Sequence, residues 1–78
     1  MKSVAVDCLF QEDGTIRVRR VRVEGTWAAI GQGRQWQDEE GRHVLIMLDG
    51  RDVWELLLNA GSLAWELKRI QASRSAVV

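Results

Sequence analysis

Apolar and polar side chains alternate along most of this chain in short runs, and glycine closes nearly every run. The seven glycines recur at intervals of roughly ten residues, the turn spacing of an all-β sandwich or small barrel, and proline is absent. Val4 to Phe10 reads as the first strand. Glu12-Asp13-Gly14 follows as a turn, because aspartate tolerates and glycine favours the positive φ of a tight reversal. Ile16 to Val23 reads as the second strand, but its alternation changes phase. Ile16 and Val18 share one parity, Val21 and Val23 the other, which in a regular strand would send the two pairs to opposite faces. One extra residue at Arg19-Arg20, a β-bulge, returns all four aliphatics to one face and Arg17, Arg19, Arg20 and Arg22 to the other.

Gly25 to Ile30 reads as a short strand carrying Trp27. The stretch Gly31 to Gly41 is polar, holds two flexible glycines and Trp36, and is expected to be irregular. Arg42 to Leu48 and Asp52 to Leu58 flank Asp49-Gly50, the strongest hairpin signal in the chain. A loop that includes Arg51, with Gly50 left-handed, sets Ile46 opposite Trp54 and Val44 opposite Leu56, and so aligns the apolar faces. The last element is ambiguous. Leu63, Trp65 and Leu67 alternate as in a half-buried strand, whereas Leu63, Leu67 and Ile70 fall at helical spacing behind Ser62 as an N-cap. The strand is preferred, since it follows a short Asn59-Ala60-Gly61 turn and covers the exposed edge of the preceding hairpin. The expected fold is therefore all-β, a small antiparallel barrel or strongly bent sheet of about five to six strands. The alternative is α+β with a C-terminal helix over about 62–72. Residues 1–71 are expected to form one compact domain and 72–78 a short flexible tail.

Composition narrows the picture. Twenty-five Val, Ile, Leu, Met, Phe and Trp residues remain for a core once Met1, Val77 and Val78 are set aside, which is thin for 78 residues. Tryptophan burial must supply part of the margin, and Trp54 and Trp65, in alternating apolar runs, are the expected core pair. The single cysteine cannot form an internal disulfide. Neither paired cysteines nor zinc-type histidine spacing is present, Asp7 interrupts the N-terminal apolar run, and no stretch approaches the ~18 residues of a membrane span. A cytoplasmic location without membrane contact is the expectation.

Catalytic chemistry finds little support. The one histidine, His43, and the one cysteine, Cys8, both lie within predicted strands, so an enzyme built on either is the least favoured of three functions. The carboxylates Glu12-Asp13, Asp38-Glu39-Glu40 and Asp49 with Asp52 fall in or beside turns, where they are ordinarily solvated. Asp38-Glu39-Glu40 lacks the further oxygens of a calcium or magnesium loop, and Gly31-Gln32-Gly33-Arg34 lacks the third glycine or Gly-Lys-Ser/Thr of a phosphate loop. Neither a metal nor a cofactor is expected.

Charge is unevenly placed. Eleven basic and eleven acidic residues sum to zero, which argues against non-specific attraction to polyanions. Residues 16 to 23 nevertheless carry four arginines and no acid. Arginine's planar fork suits carboxylate and phosphate and stacks on aromatic rings. Arg17, Arg19, Arg20 and Arg22, with Trp27, Arg34 and Trp36, are therefore the candidate binding residues. Asp7, Glu24, Glu55 and Glu66 are the acids available to neutralise them.

From Val21 to Ile70 the order of Gly25-Thr26-Trp27, Trp36, Gly41-Arg42, Trp54-Glu55-Leu56 and Trp65-Glu66-Leu67 resembles a small bacterial domain that occurs alone. Similar sequence forms the C-terminal tail of catalytically degenerate Y-family polymerase homologues of the ImuB type. The related tails usually place tyrosines after the arginine, where this chain has His43 and Val44, so no role of those tyrosines carries over. The resemblance implies a non-catalytic accessory module near DNA-damage tolerance. Together these features lead to the expectation of a non-enzymatic module that binds an unidentified protein through its arginine face and a tryptophan-bearing loop. Single-stranded nucleic acid is the alternative ligand, and an exposed edge strand would favour a homodimer.

Overall fold

In the computed structural model, which describes residues 2–70, six strands run β1 (Lys2–Phe10), β2 (Ile16–Val23), β3 (Thr26–Gln37), β4 (Gly41–Leu48), β5 (Asp52–Asn59) and β6 (Trp65–Arg69). Each pairs antiparallel with the next, and β6 returns to β1, giving a closed barrel in sequence order. The expected flexible tail over 72–78 lies outside the described residues. The core is lined by Ile16, Val18, Val21, Val44, Ile46, Leu48, Leu56 and Leu67, with Trp54 and Trp65 partly buried against it.

The phase change in β2 is resolved by a bulge. Asp7 pairs with Arg20 and Cys8 with Val18, leaving Arg19 as the extra residue. Ile16, Val18 and Val21 are consequently all buried and the four arginines all exposed. The Asp49-Gly50 hairpin adopts the expected register, with Ile46 opposite Trp54 and Val44 opposite Leu56. Both Asp49 (φ 55°) and Gly50 (φ 69°) are left-handed there, and the Arg51 amide donates to the Leu48 carbonyl.

Two expectations are corrected. Residues 31 to 37 are not irregular, because β3 continues through them, interrupted by a bulge in which Gly33 and Arg34 oppose Leu45. The polarity of this half has a structural cause. The β2–β3 ladder spans only Arg20–Val23 against Thr26–Ala29, and beyond it the strands part. Two glutamine side chains replace the missing ladder. Gln32 accepts from the Val18 amide and donates to the Ile16 carbonyl, both at 2.8 Å, while Gln35 makes both bonds to the Ile16 backbone at 2.9 Å. Polar residues thus satisfy backbone groups at the one seam where two strands diverge.

At the C-terminal element the preferred strand forms, and the correction is confined to Leu63. No helix forms over the described part of 62–72, and Leu63, expected on an apolar face, is exposed in a turn with φ 61°. The Asn59–Ala64 turn is closed by its own backbone bonds and by the Asn59 side chain, which accepts from the Gly61 and Ser62 amides. Ser62 Oγ accepts from the Ala64 amide. β6 wins because it satisfies two ladders at once, against β5 and against β1, whereas a helix would leave both edges open. The exposed edge that favoured strand-mediated dimers is therefore occupied from within the chain.

Candidate functional site

The outer surface of β1–β3 carries the arginine face. Ladder pairs place Leu9 beside Arg17, Asp7 beside Arg20 and Ala29, and Ala5 beside Arg22 and Trp27. Arg20 is already engaged: its Nε donates to Asp7 at 2.9 Å and its guanidinium lies 4.8 Å over the Trp27 ring. Among the described residues, neither a hydrogen bond nor an ion pair holds Arg17, Arg19 or Arg22. Leu9 and Trp27 are exposed beside them, at 54% and 40%. The face thus combines free guanidiniums, one aromatic ring and one aliphatic side chain.

Trp36 and Arg34 stand apart from this face. Arg34 lies in the bulge of β3 and Trp36 beyond it, toward the far end of the strand, so Trp27 and Trp36 do not share a loop. The Arg34 guanidinium lies 5.1 Å from the centre of the Trp36 ring, and that ring stacks on His43 with centroids 4.9 Å apart and planes within 2°. The candidate binding residues therefore separate into a β2 cluster with Trp27 and a second pair, Arg34 and Trp36, over β4.

Beneath that pair is a polar cluster that sequence reasoning did not assemble. His43 lies between Arg42 and the core residue Val44 on β4, and its parity directs it out of the barrel, yet only 4% of it is exposed. Its cross-strand partner Leu57 is also buried although it lies outside the main core. The imidazole bridges two carboxylates, with Nδ1 at 2.5 Å from Glu55 and Nε2 at 2.7 Å from Asp38. Burial alone would lower the His43 pKa, but the hydrogen bonds to Glu55 and Asp38 outweigh it and raise the value above 6.5. The same bond from His43 holds the Asp38 carboxyl below its ordinary range.

The turn between β3 and β4 is built to hold this geometry. Asp38 and Gly41 exchange backbone bonds, the Glu40 amide donates to the Asp38 side chain, and the Glu40 carbonyl accepts from Ala60 at 2.8 Å. The Arg42 guanidinium donates to the Gly14 carbonyl, tying β4 to the β1–β2 turn. A signal was present in the sequence, since Asp38 and Glu40 precede His43 by five and three residues across a turn ending in glycine. What could not be read was Glu55, which arrives from β5.

Cys8 packs toward the core, where burial, then the adjacent Asp7 charge, pushes its thiol pKa up and so disfavours the thiolate. Both ring nitrogens of His43 are engaged with carboxylates, and Cys8 is not among their partners. The pair that a cysteine-based enzyme would need is not assembled. No family model, curated protein or solved structure matches the chain.

Proposed function

We propose that this chain is a non-enzymatic binding module that docks an acidic segment of a protein partner on the outer face of β1–β3. The observation that carries this is the row Arg17, Arg19 and Arg22, exposed and without an internal counter-charge among the described residues, beside exposed Trp27 and Leu9. Arginine and tryptophan are the side chains most often responsible for interface affinity. Arg20, fixed by Asp7 and Trp27, orders the centre of the row before a partner arrives. The resemblance of residues 21–70 to the tails of ImuB-type polymerase homologues agrees with an accessory role of this kind.

Single-stranded nucleic acid is the alternative occupant of the same face. It needs open aromatic rings for base stacking, and here Trp27 lies under Arg20 while Trp36 is stacked on His43. Protein is favoured for that reason. The test is an amide-shift titration with a peptide of alternating glutamate and leucine, and in parallel with an oligothymidine. The expected result is shifts confined to β1–β3 with the peptide and at least about a tenfold loss of affinity in Arg19→Glu/Arg22→Glu, roughly two charge-assisted contacts. Salt-steep binding of the oligonucleotide alone would transfer the face to nucleic acid, and no shift with either ligand would remove the proposal.

A further inference from the structure

The Asp38–Glu40–His43 cluster lies on a different part of the barrel from the arginine face and is independent of it. Three donor atoms, His43 Nε2 and one oxygen each from Asp38 and Glu40, lie within 4.8 Å of one another. Nε2 is 2.7 Å from Asp38 Oδ1 and 3.9 Å from Glu40 Oε1. Behind the ring, Glu55 takes the Nδ1 side at 2.5 Å. We propose that this cluster binds a divalent cation of the zinc class, ligated by His43 Nε2, Asp38 and Glu40, with Glu55 orienting the imidazole from behind.

Four observations converge on this assignment. The first is the ligand set: one imidazole nitrogen with two carboxylates suits borderline divalent ions, whereas a magnesium or calcium site is built from oxygens. The second is the largely buried carboxylate on the far ring nitrogen. A histidine ligand typically gives its other N–H to such a group, which directs the free lone pair of Nε2 at the ion. Glu55 is only 13% exposed, and its place on β5 is set by eight consecutive ladder pairs with β4.

The third is spacing. Bonds of about 2.1 Å in tetrahedral geometry put donors roughly 3.4 Å apart, and the present separations fall on either side of that value. Asp38 must withdraw slightly and Glu40, an exposed and rotatable side chain, must approach. In the metal-free state Nε2–H donates to Asp38. The cation takes the place of that proton, which is released to solvent.

The fourth is rigidity. Trp36 covers one face of the imidazole, and the backbone of the 38–41 turn is pinned to Ala60. Stacking on Trp36 and the bond to Glu55 hold the ring with Nε2 toward Asp38 and Glu40, and the Glu40 side chain is exposed.

The experiment uses the full chain, freed of metal with a chelator and titrated with zinc chloride by calorimetry, with cobalt(II) absorption as the second readout. The expected result is saturation at one equivalent and a cobalt spectrum of nitrogen–oxygen ligation. Glu55→Gln should weaken binding by about 10- to 100-fold, as loss of an orienting carboxylate does. Glu40→Gln, at an exposed position that leaves folding intact, should also weaken it. Absence of saturable zinc binding, equal affinity in Glu40→Gln, or equal affinity for calcium would each overturn the proposal. None of these outcomes bears on the arginine face.

Discussion

Gly41 is the residue whose side chain matters most by its absence. It opens β4 with φ 146°, and a Cβ placed there would sit 1.9 Å from the Leu58 carbonyl oxygen and 2.9 Å from the Ala60 amide nitrogen. That close approach lets the 38–41 turn lie against Ala60 and so aims Asp38 and Glu40 at His43. Gly41→Ala should cost at least about 3 kcal/mol in urea unfolding, the sum of backbone strain and overpacking against immobile backbone. Gly33→Ala is the control: its nearest neighbours would be at 3.5 Å, ordinary contact, and it should be nearly neutral. The two glycines look alike in the chain. Only the position of β5 behind Gly41 separates them.

The strands show where periodicity is sufficient information and where it is not. In β2 the arginine–aliphatic pattern contains its own irregularity, because only an inserted residue reconciles Ile16 and Val18 with Val21 and Val23. Deleting Arg19 removes the bulge and should turn Ile16 and Val18 outward. Each is buried, so the loss is about 2 kcal/mol or more per side chain, and the expected result is loss of cooperative thermal unfolding followed by circular dichroism. β3 is the contrasting case. Its second half was expected to be irregular because it is polar and carries two glycines, yet Gln32 and Gln35 serve as side-chain substitutes for a ladder that β2 withdraws. A local pattern does not reveal a backbone group 14 to 19 residues away that needs a partner. The candidate site divides in the same manner: the arginine row was legible because it lies on one strand, and the histidine cluster was not because it draws on β4, β5 and the turn between β3 and β4.

At the level of the whole molecule, closure decides the outcome. β6 is only five residues long, but it fills the gap between β5 and β1 and converts a bent sheet with two edges into a barrel with none. A chain ending at Ser62 should therefore expose both edges and self-associate, observed as an early-eluting, concentration-dependent species in size-exclusion chromatography. A monomeric truncated protein with native circular dichroism would contradict this role for β6. The zero net charge also resolves into parts at this scale. Arginines lie on the β1–β3 face, while Asp38, Glu40 and Glu55 gather around His43 on β4. The sequence by itself determined most of the strands and turns, the bulge and the face that most apolar residues take, since all follow from side-chain period and glycine placement within a few residues. Tertiary structure settled the preferred strand at 65–69 over its helical alternative, and it alone decided the extension of β3 and the carboxylates around His43, because each depends on which distant backbone or charge needed a partner.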